Sequence, residues 1–278
     1  KGQIAKTIEP CEQGYRIVTN RQTFLARRLL LATGSAPQGH LIAKDLGHTI
    51  TPLAPSLFTV KSQHPIVAGL AGISKDEAHV ELKVGDKSFR QLGPLLITHW
   101  GFSGPAVLKL SAYAAREFLS ENYRGQLIVN WLPEMNFDST FAALKDFQRT
   151  SPQKTLGASK VLDLPKRLWQ RVLELQKAHD RPANQISDKT FRHLAEAVHR
   201  GTYDFDGKGE FKEEFVTCGG VDLKEINLKT FESKVSPGLY LAGEIIDVDG
   251  ITGGFNFQNA WTSSRLAAHH ISSQTIIL

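Results

Sequence analysis

The chain has 278 residues, 33 basic and 28 acidic, with a formal net charge of +5, a hydrophobic share of 41% and two cysteines. Cys11 and Cys218 fall in no CxxC or His-rich spacing, so neither a disulfide framework nor a zinc site is expected. No run approaches the ~20 apolar residues of a membrane helix, the start carries no signal-peptide pattern, and no basic block is interleaved with aromatics; the expectation is a cytoplasmic globular enzyme with neither a membrane nor a nucleic acid as partner.

Tyr15 to Thr19 and Gln22 to Ala26 read as strands of a small β-meander turning near Asn20. Leu29-Leu30-Leu31 is a short apolar run ending in Ala32-Thr33-Gly34-Ser35, the pattern of a buried parallel strand that reaches a sheet edge. Leu41 to Leu46 fits a short helix closed by Gly47 at its C-terminal cap.

Pro52 and Pro55 mark the exit into a stretch of different texture. His79 to Val84 alternates polar and apolar, turns at Gly85-Asp86 and resumes from Phe89 to Ile97, which is antiparallel β structure with one solvated face. Ser103 or Gly104 as N-cap and Pro105 near the first position start a helix over Ala106 to Leu119. Leu127 to Leu132 reads as a strand. From Ser139 to Arg200 the chain turns helical: Ser139 and Thr140 cap Phe141 to Arg149, Pro165 opens a helix through Lys177, and Ser187-Asp188 cap a helix through His199. Tyr203 to Gly207 carries a hairpin signal, and Phe211 to Val216 leads back. Residues 52–217 thus read as a β-rich insert with a helical excursion at about 136–201, set between residues 1–51 and 218–278. His179, His193, His199, His269 and His270 read as solvated, and Trp169 and Trp261 as core.

Gly238 to Glu244 is a second apolar run that breaks into glycine, followed by Asp247-Val248-Asp249-Gly250-Ile251-Thr252-Gly253-Gly254-Phe255-Asn256 and a helix. A strand, glycines and a helix in this order bring backbone N–H groups and a positive helix end up to a nucleotide at the carboxyl edge of a sheet. Gly253 and Gly254 are expected to need either positive φ or a backbone approach too close for a Cβ. Glu244 is placed to accept hydrogen bonds from ribose or ribityl hydroxyls, with an N-cap or surface acid as the alternative. Asp247 and Asp249 can rigidify the turn. For two strand-then-glycine segments to serve one nucleotide, Gly34 and Gly243 must share one sheet edge; the bland alternative is a glycine-rich surface turn.

Three stretches, ATGSAPQGHLIAKDLGHTI (Ala32 to Ile50), LLITHWGFSGPAVLKLS (Leu95 to Ser111) and TCGGVDLKEINLKTFESKVSPGLYLAGEIIDVDGITGGFNFQNAWTSSRLAA (Thr217 to Ala268), resemble the BaiN/YhiN-type flavoproteins over nearly the whole chain. The resemblance implies an α/β fold class: a discontinuous Rossmann-like FAD-binding domain interrupted by a β-rich insert domain carrying a helical subdomain. It implies FAD as cofactor, and either oxidation of a small amine or ketone-like molecule or NAD(P)H-dependent reduction of an enone. No second dinucleotide fingerprint is present, so NAD(P)H would dock transiently as electron donor. The cofactor contacts it implies are Ala32, Thr33, Gly34, Gly243, Glu244, Asp247, Gly250, Ile251, Thr252, Gly253, Gly254, Phe255 and Asn256. It sets His99 near the isoalloxazine as a proton donor or substrate contact, with a structural histidine as the alternative, and assigns no metal.

That family opens with a strand and a G-x-G-x-x-G loop for the FAD pyrophosphate. This sequence contains no G-x-G-x-x-G and begins with Lys1; the opening βαβ unit, which needs ~30 or more residues, is expected to be missing, and the chain alone to hold half of an FAD site and to be inactive. Two rivals stand beside the flavoprotein: a non-catalytic nucleotide-binding or scaffold protein, and a serine hydrolase. For the latter, Gly101-x-Ser103 half-matches a G-x-S-x-G elbow, but Pro105 replaces the second glycine.

Overall fold

The structure, a computed structural model, describes residues 2–209 and 216–274. The chain divides into two compact units, residues 1–56 with 215–278 and residues 57–214. The first unit opens with a three-stranded meander of β1 (Ala5–Cys11), β2 (Gly14–Thr19) and β3 (Thr23–Ala26). Sequence reading finds β2 and β3 but not β1, where Lys6, Glu9 and Pro10 dilute the alternation and only Ile8 is buried. β4 (Leu29–Leu31) follows, then α1 (Pro37–Asp45). α1 starts four residues before the expected Leu41, with Pro37 in its first turn, and closes at Gly47 with φ +95°. β5 (Ile50–Ser56) contains Pro52 and Pro55, expected to mark a break; a two-stranded ribbon tolerates them because its outer edge needs no N–H.

The second unit runs β6 (Val60–Lys61), β7 (Ser74–Val84), β8 (Lys87–Ile97), β9 (Gly101–Ser103), α2 (Pro105–Tyr113), α3 (Ala115–Ser120), β10 (Arg124–Asn130), α4 (Phe137–Thr150), α5 (Lys166–Leu175), α6 (Asp188–His199) and β11 (Gly201–Asp206). Its six strands lie in the order β11-β10-β7-β8-β9-β6. Lys61 N–H donates to the Gly207 carbonyl (2.8 Å) and Val60 bridges Lys208, so the two ends of the sheet meet and it is nearly closed and barrel-like. Alternation decides what fills it: Ala78, Val80, Leu82 and Val84 of β7 are buried with Leu95, Ile97, Phe102, Leu127, Val129 and Phe205. Inside, Trp131 Nε1–H donates to the Tyr203 hydroxyl (2.9 Å), whose pKa burial pushes up to about 12.

Local chemistry moves several expected boundaries. α4 begins at Phe137 because Asn136 caps it; Ser139, expected as the cap, is the reciprocal partner of Asn136 in a capping box. The expected single helix after Pro105 breaks into α2 and α3 at Ala114. Ser187 caps α6 by accepting from Thr190 N–H. Tyr203 to Asp206 lies within a strand paired to β10, so Asp206-Gly207 is a strand end and not a hairpin turn. His199 is half-buried and bonded to Thr140 and Asn130, so it is not a solvated side chain.

The chain returns to the first unit through β12 (Val216–Val221), β13 (Ile226–Asn227), β14 (Glu232–Ser233), β15 (Leu239–Leu241) and α7 (Gly253–Ser273). Of the expected return strand, residues 211–215 lie outside the described residues. β12 pairs antiparallel with β5, and a four-stranded sheet runs β13-β14-β15-β4. β15 and β4 are parallel, Leu239 to Leu241 registering on Leu29 to Leu31, and Ala242 N–H donates to the Leu31 carbonyl (3.0 Å). Leu31, Ile42, Leu46, Tyr240, Leu241 and Ile245 share the core beneath this pair. Trp169 is core, whereas Trp261, expected to be core, is 67% exposed on α7. His270, expected to be solvated, is half-buried and bonds the Tyr240 hydroxyl (2.9 Å). No helix among the described residues is long and apolar enough to cross a membrane.

Leu82 is fully buried at the centre of the closed sheet. Leu82→Ala should destabilise the second unit by about 2–5 kcal/mol in a urea titration; a loss below about 1 kcal/mol would mean this interior is loosely packed.

Candidate functional site

The parallel pairing of β4 and β15 sets two turns side by side at the carboxyl end of the sheet. Gly34 (φ +60°) ends the first and Gly243 (φ +78°) opens the second, both in the left-handed region that glycine enters without a steric penalty. A Cβ on Gly34 would stand 3.9 Å from Glu244 Oε2, so the Thr33-Gly34 turn faces the Glu244 carboxylate. The other carboxylate oxygen accepts a hydrogen bond from Thr217 N–H (2.6 Å). Thr217 gets there because β12 runs close to its neighbours: a Cβ on Gly219 would stand 2.3 Å from the Pro52 carbonyl oxygen, and one on Gly220 2.6 Å from that of Ile245. The sequence reading quotes these two glycines but gives them no role; their signal was the doubled glycine at the end of an apolar run.

The loop that follows is fixed by its own side chains. Asn256 Oδ1 accepts from Gly250 N–H (2.9 Å), and Asn256 Nδ2 donates to the carbonyls of Gly250 (3.0 Å) and Thr252 (2.9 Å). Its amide is therefore engaged inside the loop, and Asn256 shapes the site from within. A Cβ on Gly250 would come 2.5 Å from the Phe255 Cβ, so this position needs glycine. Asp247 N–H donates to the Val221 carbonyl (3.0 Å), and Ser56 Oγ donates to Asp249 Oδ2 (3.3 Å), tying the loop to β12 and β5. Ile251 is half-buried, while Phe255 is exposed.

α7 begins without a side-chain cap: Thr252 takes the N-cap position and forms no capping bond. A Cβ on Gly253 would meet nothing within 4 Å, and one on Gly254 only the Thr252 hydroxyl at 3.9 Å. Both glycines are helical and neither has positive φ, so that part of the expectation is corrected; what they give is bare backbone at an open helix N-terminus. α7 is anchored to the sheet edge further along, where Gly243 N–H donates to the buried Ser263 hydroxyl (2.9 Å).

One residue here carried no signal in the sequence. His40, in the first half of α1, is 4% exposed and neither ring nitrogen has a hydrogen-bond partner. Burial holds its pKa below the ordinary histidine value, against the Ala36 carbonyl and the negative charge of Glu244. The preceding Gly39 lies so close to Thr33 that a Cβ would overlap its hydroxyl, at 1.8 Å. α1 therefore rests directly on the Thr33-Gly34 turn.

His99 belongs to the second unit. It is exposed beside Trp100, with ring centroids 5.9 Å apart, on a cleft of about 280 Å³ that Lys61, His64 and Asp206 also line. Ser103 Oγ accepts from the Thr59 hydroxyl (2.9 Å), and among the described residues no histidine bonds it, so the hydrolase elbow has no base in place. No group of three or more His, Cys, Asp or Glu among the described residues is placed to hold a metal ion.

The donor set at the sheet edge fits a flavin nucleotide: uncapped helix N–H groups with no Cβ over them suit a flat electron-poor ring, and a carboxylate oxygen beside a glycine turn suits a sugar hydroxyl. Comparison with known proteins gives the chain a family. Residues 54–216 match the family described as the HI0933-like protein barrel and H2TH domain. The chain is 31% identical over 276 residues to the 3-dehydro-bile acid delta(4,6)-reductase of Clostridium scindens, covering 96% of this chain and 67% of that one. It is 31% identical over 272 residues to the ribosomal RNA dihydrouridine synthase of Escherichia coli (94% and 64%), and 33% identical over 265 residues to that of Haemophilus influenzae (92% and 63%). The chain thus spans 63–67% of the length of these curated relatives. It belongs to the HI0933-like family, the BaiN/YhiN-type flavoproteins.

The buried His40 makes stability depend on pH. With the folded pKa below the ordinary 6.5, the unfolded chain binds the proton more readily, so stability is complete above pH 6.5 and is lost as pH falls from there through the folded value. The urea midpoint of the first unit should drop across that window, and His40→Leu should flatten the drop. Parallel pH curves for the two proteins would show that His40 is not held neutral.

Proposed function

We propose that residues 1–56 and 215–278 form a discontinuous Rossmann-like FAD-binding domain, and that the protein is an FAD-dependent oxidoreductase which saturates a C=C bond conjugated to a carbonyl. The observation that carries this reading is the convergence of the Thr33-Gly34 and Gly243-Glu244 turns at one parallel sheet edge, with an uncapped helix N-terminus following in the same unit. When bound and reduced by NAD(P)H, the flavin would supply a hydride for the β-carbon of the substrate. The chain's own residues would hold it: Glu244 Oε2 would accept from a sugar hydroxyl, the backbone of Ala32 to Gly34 would line the cofactor, and the Gly253 and Gly254 N–H groups would be its helix-end donors. A helix end there stabilises negative charge by roughly 0.3–1 kcal/mol. The loop from Asp247 to Ile251 is held in shape by Asn256, and the proton that completes reduction at the α-carbon would come from solvent.

The relatives' names support enone reduction over amine oxidation. A delta(4,6)-reductase of a 3-dehydro substrate and a dihydrouridine synthase both add two hydrogens across a C=C bond conjugated to a carbonyl. The common chemistry supports reduction and leaves two substrate classes, a small dienone or a uracil base in RNA. A scaffold that binds a nucleotide without turnover is the rival.

The test is NAD(P)H oxidation by the protein expressed from its complete coding sequence, supplied with FAD and offered either a steroidal dienone or uridine-containing RNA. Turnover with one of them, with the product two hydrogens heavier, is expected; retained flavin with no oxidation of NAD(P)H by either substrate would favour the scaffold. In the same protein Gly254→Val should abolish flavin retention, because a branched side chain would stand over the bare helix end. Glu244→Ala should weaken FAD binding by about 0.5–1.5 kcal/mol per lost hydrogen bond. Full flavin occupancy in Gly254→Val would remove α7 from the cofactor site.

A further inference from the structure

The second unit carries a cleft on the outside of its closed sheet. β7 points Val80, Leu82 and Val84 inward, so His79, Glu81 and Lys83 point out. The register sets Leu92 of β8 and Asn130 of β10 on either side of His79, and Arg90 and Ile128 on either side of Glu81. The end of α6 adds His199 and Arg200, and the whole encloses about 710 Å³.

The polarity of this cleft is one-sided. Lys83, Arg90 and Arg200 are exposed cations, and Glu81 is the single carboxylate among the lining residues. Glu81 is already matched: it accepts from Ser88 (2.7 Å) and from Arg90 Nε (3.0 Å), with Lys83 Nζ at 3.9 Å, and these bonds hold its carboxyl below the usual range. The His199 ring is fixed at the rim, with Nδ1 at 3.1 Å from Asn130 Oδ1 and Nε2 at 2.8 Å from Thr140 Oγ1. Leu92, 47% exposed, gives an apolar patch on the floor. Surplus cations around an open cleft of nucleotide size, with an apolar floor, suit a phosphodiester backbone with a base turned in, whereas an apolar enclosed pocket would suit a free steroid. The scattered charge of the sequence hides this, because the fold gathers residues 83, 90 and 200 from three separate segments.

We propose that the outer face of β7, β8 and β10, with the end of α6, is an RNA-binding cleft in which Lys83 and Arg200 contact backbone phosphates. The inference rests on the RNA branch of the function proposed above, and it assigns RNA contact to the second unit.

The experiment is fluorescence anisotropy with a labelled uridine-containing RNA hairpin, titrated at several salt concentrations and without NAD(P)H, so that binding is read apart from turnover. Lys83→Glu and Arg200→Glu should each weaken binding by about tenfold and lower the log–log salt slope by about 1. Lys189→Glu, an exposed change of the same charge outside the cleft, should leave binding within about twofold. The neutral variants Lys83→Gln and Arg200→Gln should show the same trend at smaller amplitude, which separates phosphate contact from misfolding by the reversed charge. RNA affinity unchanged in both cleft variants, equal weakening by Lys189→Glu, or no RNA binding by the parent protein would overturn the proposal. RNA binding that persists without NAD(P)H oxidation would leave the cleft standing and count only against the reductase reading.

Discussion

The three-residue parallel pairing of β4 with β15 is the constraint on which the first unit depends. It joins segments more than 200 residues apart in sequence, and through the Ala242 N–H to Leu31 carbonyl bond it sets where each strand stops. Parallel strands are stable when both faces are covered. Here Leu31, Tyr240 and Leu241 sink into the core with α1 and α7 residues around them. Because both strands stop together, Gly34 and Gly243 turn at the same edge and Glu244 comes to face the first turn. Leu239, Tyr240 and Leu241 are all buried, so both faces of β15 are covered, and a one-residue slip would exchange the faces on which these unequal side chains pack.

The glycines at this edge act for three different physical reasons, which explains why they are not interchangeable. Gly34 and Gly243 supply positive φ. Gly219 and Gly220 supply positive φ and clearance together, and Gly250 clearance alone, since a Cβ would strike backbone or Phe255. Gly253 and Gly254 supply neither; they leave backbone bare at an open helix end. The first two kinds are needed by the folded chain itself, whereas nothing within the described residues requires glycine at the third.

Much of this was legible in the sequence because it rests on local patterns. Strands that end in glycine, the alternation of β7 and the Ser187 cap are each contained within a few residues, and each reads correctly. The sheet edge shared by Gly34 and Gly243 followed from the demand that one nucleotide be served twice, and the strand pairing meets it. The misreadings have a common cause, which is that a distant partner decided the outcome. Pro52 and Pro55 sit in a strand because β12 pairs only one side of it; Asp206-Gly207 ends a strand because Lys61 takes the Gly207 carbonyl. His40 gave no signal at all, since a histidine in a helix looks the same in sequence whether its ring is solvated or walled in beside Glu244.

The division into two units separates a backbone frame from a sheet with a variable outer surface. In the first unit, glycine clearance and side-chain clamps such as Asn256 leave the backbone at the sheet edge little freedom. Substrate choice needs side chains that can change without disturbing the frame. The outward positions of β7, β8 and β10 are of that kind, because alternation leaves them out of the barrel core. Relatives named for a bile acid and for ribosomal RNA are each 31% identical to this chain over the aligned residues, and both alignments run through both units. Outward residues of this kind can change while the buried ones keep the frame, so a sheet built by alternation can diverge on its surface without losing its fold.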